Sequence, residues 1–424
     1  MTAPNRPELD EIKIINLDPK SGGEFVNWKS ATISSDFLTP CDTFRLSAGS
    51  EEAGIELCRK LPAGSKVQIQ VNGLPQLTGY VDKTEISSGR EGTEVTIEGR
   101  DVLSSVVDSN VDPRMPIPPS PTIQDLCKLV LNQQFGLGVG YAETNTSRDL
   151  AVGRQVGSQK TYASKHKRTT PLKEITPHPN EGAFSYLARI LTLHGYWLWA
   201  SVDGTYVVCT GPDYNQKSAY QIVNKFDISG KGGGLGNNVL SARACIDETS
   251  VPGVVLVRGT SSSSGNKQAV EGAAKNFLTS RFKVCYVQDR DATTKEKAEC
   301  IARTFLARQK RNYFVYEATV RGFSDAATGG VYSVDAVVDV DDQICGVSGK
   351  LWIESRTFEK SRQGGTTTRL KCIPLGTLVL DWLPEEQILG IQPYTEAQKD
   401  AGSQAPAKTG IYAVTDAQFF IPNS

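Results

Sequence analysis

Val67-Gln68-Ile69-Gln70-Val71 is followed by Gly79-Tyr80-Val81, by a polar stretch ending Gly89-Arg90-Glu91-Gly92-Thr93, and by Val95-Thr96-Ile97. The alternation of apolar and polar residues marks half-buried strands. Asn72-Gly73 closes a tight hairpin, because both residues tolerate positive φ. The same order returns roughly 270 residues later. Val337-Val338-Asp339-Val340 leads to Gly349-Lys350-Leu351-Trp352-Ile353, then Gln363-Gly364-Gly365-Thr366, then Leu370-Lys371-Cys372-Ile373. Each copy reads as a strand, a turn, a strand leaving a glycine, a Gly-rich tip and a closing strand. Two β-units of one design suggest a surface built by repetition. Three such chains would present six similar units.

Outward from these copies, residues 10–112 read as all-β. Ile12-Lys13-Ile14, Phe25 to Trp28 and Phe44-Arg45-Leu46 are short strands separated by turn residues. Five prolines in residues 113–121 stop helix and central strand alike and mark a boundary. A helix follows, with Thr122 and Asp125 as a capping box and Ile123, Leu126, Cys127 and Val130 on one face. Residues 141–180 lack periodicity. A second helix, capped at Asn180 and closed by Gly195, precedes a hairpin turning at Asp203-Gly204. Gly230 to Gly236 reads as a hinge. A third helix, with Thr293 and Glu296 as its capping box, interrupts the β pattern that resumes after the hinge. The expected class is α+β, predominantly β. Residues 1–112 and 236–380 form two β-rich domains, 113–235 a small α/β middle module, and 381–424 an irregular tail.

At 424 residues the chain has room for several cores. A net charge of −1 offers no global attraction to nucleic acid or acidic membranes. Nine cysteines lack paired metal-site spacing, which favours free thiols over a disulfide framework. No apolar run is long enough for a spanning helix, so no membrane insertion is expected.

Known chemistries find no footing. Gly230-Lys231-Gly232-Gly233-Gly234-Leu235-Gly236 lacks the Gly-Lys-Ser/Thr that opens a phosphate-binding helix. His166, His178 and His194 have no ligand spacing between them, and no Gly-x-Ser-x-Gly elbow exists. No catalytic residue, cofactor or metal site is assigned. Lys165, Lys167 and Arg168 belong to the dense basic run, a solvated loop or a contact for an acidic partner. A peptidoglycan hydrolase with a carboxylate pair stays open as an alternative, as does a carbohydrate-binding tail component, although Trp197, Trp199 and Trp352 fall inside strand patterns rather than at loop tips.

The order Leu61-Pro62-Ala63-Gly64, Val67 to Val71, Asn72-Gly73, Gly79-Tyr80-Val81-Asp82 and Val95 to Asp101 resembles the first domain of phage baseplate hub proteins of the Mu tail protein P type. The late control protein D family and the base of type VI secretion spikes are more distant parallels. Phe184 to Arg189, His194-Gly195-Tyr196 and Asp203-Gly204-Thr205 are similar to that family's middle module, and Gly322 to Thr368 to its second tube domain. The likeness covers roughly residues 10–380. It implies a non-enzymatic baseplate hub of a contractile phage tail or related injection machine. It also implies that residues 1–112 and 236–380 are tube-type β-barrel domains, and that a homotrimer forms a pseudo-sixfold ring between the tail tube protein and the spike protein. Baseplate wedge proteins would be further partners, and DNA would pass transiently through a lumen with few basic side chains. The location would be the virion tail, assembled in the host cytoplasm. Val67, Ile69, Val71, Gly79, Gly99, Val338, Val340, Gly349 and Gly365 are the expected tube-wall strand and turn residues.

Overall fold

The computed structural model describes residues 10–18, 22–26, 28–48, 57–90, 92–140, 172, 175–210, 212, 214, 216–227, 236–263, 266–276, 279, 282–362 and 364–378. The first part is β, as its alternation requires, apart from a helical turn at residues 57–60: β1 (Ile12–Asn16), β2 (Gly23–Phe25), β3 (Ser30–Asp36), β4 (Thr43–Ala48), β5 (Lys66–Val71), β6 (Leu74–Gly89) and β7 (Gly92–Asp101). Asn72 and Gly73 have φ of 51° and 77° and make the tight turn between β5 and β6.

A helical segment follows, with α1 (Ser104–Val107) and α2 (Ile123–Cys127), which continues as π-helical turns over Lys128–Gln134. The Thr122–Asp125 capping box forms in both directions. β8 (Gly138–Gly140), α3 (Ala183–Leu193), β9 (Trp197–Ala200) and β10 (Tyr206–Thr210) complete this part, and its three strands form a small sheet. Its core gathers Ile123, Leu126, Val130, Tyr186, Leu187 and Val207. The residue before α3 is Gly182, not Asn180, which adopts a left-handed φ of 58°. The Glu181 carboxylate there accepts from the His178 amide at 2.8 Å, closing the turn ahead of the helix.

The remaining elements are β11 (Tyr220–Asn224), β12 (Val239–Ile246), β13 (Val254–Ser263), β14 (Asn266–Lys275), β15 (Val284–Gln288), α4 (Lys295–Lys310), β16 (Phe314–Arg321), β17 (Val337–Asp342), β18 (Val347–Ser361) and β19 (Gly365–Pro374). Thr294 caps α4 by accepting from the Lys297 amide, one residue later than the sequence pattern suggests. β13, β14 and β15 form a separate sheet whose Val255 and Val257 pack on Ala298, Ala302 and Leu306 of α4.

The molecule is dominated by one 13-stranded, mainly antiparallel sheet. It joins both β-units, and one hydrophobic core runs from Ile12 to Cys372. Among the described residues its strand path is open, from β2 at one end to β12 at the other. The expected pair of separate closed barrels is therefore not what the isolated chain displays. The cause is β18, which keeps β19 on one edge from Leu351 to Ser361 while its other edge passes from β17 of its own unit to β3 of the other.

Candidate assembly interface

The two β-units repeat strand for strand. The first runs β3-β4-β7-β6-β5-β1 and the second β12-β16-β19-β18-β17-β11. Only the last pairing differs in sense: β1 is antiparallel to β5, whereas β11 is parallel to β17. Each unit has one long strand interrupted by a bulge. Opposite β7, the pairs Val81–Gly99 and Lys83–Glu98 leave Asp82 as the extra residue. Opposite β19, the pairs Ile353–Cys372 and Ser355–Lys371 leave Glu354 extra. From bulge to hairpin tip, Lys83–Gly89 matches Ser355–Ser361 residue for residue.

A carboxylate occupies both bulges, and each is neutralised by bases beside it. Arg100 holds Asp82 at 2.6 Å and Asp108 at 2.6 Å. The fully buried Glu354 binds Arg311 at 2.9 Å and Lys371 at 2.7 Å. A buried carboxylate needs such partners because desolvation penalises its charge.

The units meet where the second half of β18 pairs with β3. The register sets Arg356 opposite Ser35, Thr357 opposite Ser34, Phe358 opposite Ile33 and Glu359 opposite Thr32. Phe358 and Ile33 are fully buried. Arg356 donates to Ser35 Oγ at 2.6 Å, Gln76 Oε1 at 2.6 Å and the Tyr332 carbonyl at 2.9 Å, and stacks 4.1 Å from the Phe358 ring. Burial lowers its guanidinium to about 10, still charged at neutral pH. Beside this joint, desolvation raises the Asp42 carboxyl to about 6. Burial, and then the charge of Asp42, raise Asp101 to about 7.

Val67, Ile69 and Val71 lie buried on β5, and Val338 and Val340 on β17. Gly79 and Gly99 face each other's strands at close approach. A Cβ on Gly79 would meet the Arg100 carbonyl at 1.9 Å, and one on Gly99 the Tyr80 carbonyl at 2.2 Å. Gly349 and Gly365 serve backbone shape instead, with φ of 132° and 68°. The register equates Gly79 with Leu351, so the glycines that the sequence pattern aligned do different work. Lys165, Lys167 and Arg168 lie outside the described residues.

The residues that join the units were not singled out in the sequence. A signal existed: Ser30-Ala31-Thr32-Ile33-Ser34-Ser35-Asp36 and Ser241-Ala242-Arg243-Ala244-Cys245-Ile246-Asp247 share their opening serine and alanine and their closing aspartate. The Trp197, Trp199 and Trp352 indoles pack around Phe37, with centroids 6.0, 4.9 and 5.0 Å away. None of the nine cysteines forms a disulfide. Among the described residues no group of three metal-ligating side chains converges, and no helix is long and apolar enough to cross a membrane.

Residues 19–101 match the family model described as Mu phage baseplate assembly protein GpP-like, N-terminal. The resemblance drawn from the sequence holds over this stretch. The fold is similar to that of a tail protein from Neisseria meningitidis MC58, with a TM-score of 0.68 at 19% identity over 88% of this chain and 99% of that one. It is also similar to a 43 kDa tail protein of prophage MuSo2 from Shewanella oneidensis, with a TM-score of 0.67 at 18% identity over 87% and 99%. No curated protein sequence matches the chain.

Proposed function

We propose, from the GpP-like first domain at residues 19–101, that this chain is a structural baseplate hub of a contractile tail or related injection machine. Three copies form a pseudo-sixfold ring. The observation that carries this reading is the repeat of one six-strand order within a single chain. A trimer of such chains offers six near-equivalent units, which fit a tail tube of sixfold symmetry on one side and a threefold spike on the other. Both similar structures are tail proteins, in keeping with this role.

Residues 1–112 and 236–380 supply the two tube domains, closing as barrels within the ring. Residues 113–235 form the middle module. Val67, Ile69, Val71, Gly79, Gly99, Val338, Val340, Gly349 and Gly365 belong to the wall. DNA passes through the lumen, wedge proteins bind outside, and Lys165, Lys167 and Arg168 contact an acidic partner surface. The role is architectural rather than catalytic, within a virion assembled in the host cytoplasm.

Light scattering on the purified full chain at micromolar concentration tests the reading. Particles of three chains, each 45.9 kDa, are expected. A monomer at every concentration would overturn it. Clearing of a peptidoglycan suspension would favour the hydrolase alternative.

A further inference from the structure

The joint between the two units has a counterpart on the outside of the molecule, and both of its halves are vacant. β3 corresponds to β12 and β18 to β6. On the register of their neighbours, Ser47 on β4 matches Thr319 on β16, which places Ser241 at the position of Ser30 and Asp247 at that of Asp36. Both aspartates end their strands alike: Asp36 accepts from the Leu38 amide at 2.8 Å and Asp247 from the Thr249 amide at 2.6 Å. Lys83–Gly89 takes the place of Ser355–Ser361.

Inside the chain, Ser355–Ser361 is paired with β3. Among the described residues, the equivalent outer edge of Lys83–Gly89 pairs with no strand, and β12 pairs with β16 alone. Burial follows the same division. Ala31, Ile33 and Ser35 are buried in β3, whereas Ala244 and Ile246 of β12 are exposed. Phe358 is fully buried, whereas Ile86 at its position is 50% exposed, and Ile246 is 49% exposed. An open edge carrying exposed isoleucines is unusual, because such edges template association unless they are covered.

We propose that β12 of one chain pairs antiparallel with the Lys83–Gly89 half of β6 in the next, repeating the β3–β18 joint in trans. The occupant is a second copy of this chain, and the inference rests on the ring reading above. Transferring the internal register sets Lys83 opposite Asp247, Glu85 opposite Cys245 and Ser87 opposite Arg243 on one face. Thr84, Ile86 and Ser88 then face Ile246, Ala244 and Ala242 on the other. The charges agree with this register: Lys83 meets Asp247 directly, Glu85 has Arg243 on one diagonal and Asp247 on the other, and no like pair is directly opposed. Ile86 and Ile246 become diagonal neighbours and cover each other. The two edges differ, so the contact is heterologous, and it terminates only by closing into a ring.

The internal joint also supplies the test. Ser34 and Thr357 stand at the positions of Cys245 and Glu85, and their γ-oxygens lie 3.2 Å apart. A thiol placed at residue 85 should therefore reach Cys245 of the neighbouring chain. The full-length E85C variant is oxidised with diamide and run on a non-reducing gel. Covalent dimers and trimers are expected, ending at the trimer and disappearing on reduction. Adding Cys245→Ser should abolish them, and mass spectrometry should find the 85–245 peptide pair. A separate Ile86→Asp variant should lose the oligomer while keeping the β-sheet circular dichroism of the parent chain. Assembled trimers without the 85–245 disulfide would overturn this joint and leave the ring reading standing, with another partner on the edge. A chain that stays monomeric and uncrosslinked would overturn both.

Discussion

Ser34 Oγ and Thr357 Oγ1 share a hydrogen bond of 3.2 Å although 323 residues separate them in the chain. They mark the line along which two copies of one β-unit become a single sheet. One long strand serves both units: the first half of β18 pairs with β17 and the second with β3. The bulge at Glu354 falls between these halves. Bulges bend a strand and increase its twist, so this one turns one edge of β18 from β17 to β3 while the other edge stays on β19.

Coupling across this line should be measurable. Ser34→Ala and Thr357→Val each remove one partner, and the double variant removes both. A double-mutant cycle by urea unfolding should return a coupling of about 0.5–1.5 kcal/mol. Strict additivity would mean that the pair contributes nothing to the joint.

Phe358 is fully buried against Ile33, Phe323 and Arg356. Phe358→Ala should destabilise the chain by about 3–5 kcal/mol through lost burial and the cavity left behind. Ile86→Ala, at the equivalent but exposed position, should change the monomer's stability by less than about 0.5 kcal/mol. Equal effects in chemical denaturation would contradict the assignment of one closed and one vacant joint.

Gly99 allows β6 and β7 to approach, since a Cβ there would meet the Tyr80 carbonyl at 2.2 Å and Phe44 Cζ at 2.5 Å. Gly99→Ala should cost about 1–3 kcal/mol by overpacking and should be relieved in part by Phe44→Leu. A melting temperature equal to that of the parent chain would show that the strands can separate freely.

Asp42 and Asp101 should give a pH-dependent stability of defined sign. Burial raises their folded carboxyls to about 6 and about 7, above the ordinary unfolded value near ~4. From about pH 4 to 7 the folded chain therefore binds more protons than the unfolded one. This contribution is greatest in acid and is lost as pH rises through that window. Asp42→Asn removes one titrating group and its charge beside Asp101. The fall in melting temperature from pH 4 to 7 should become shallower, and an unchanged slope would count against the coupling.

Local chemistry made much of the fold readable. Period-two alternation marked β5 and β7, because one face of each strand is buried in a shared core. Asn72-Gly73 marked its hairpin, because few other pairs adopt positive φ without strain. The Thr122–Asp125 box marked a helix start, because cap and acid bond each other's amides. The duplication was also visible, together with the resemblance now matched over residues 19–101. β3 and β12 were harder to find. Ser30-Ala31-Thr32-Ile33-Ser34-Ser35-Asp36 is mostly small and polar, and its burial comes from strands far away in the chain.

The sequence by itself determined that two β-units of one design exist, where their repeated central strands and turns lie, and that the chain belongs with β-rich rather than helical proteins. Those properties depend on neighbours a few residues apart. The tertiary structure alone decided that Gly79 answers to Leu351 rather than to Gly349, that β18 divides between two units, and that Lys83–Gly89 and β12 are left open. Strand pairing is a relation between edges hundreds of residues apart. Its register depends on bulges and buried contacts, such as Phe358 on Ile33, that no local pattern encodes.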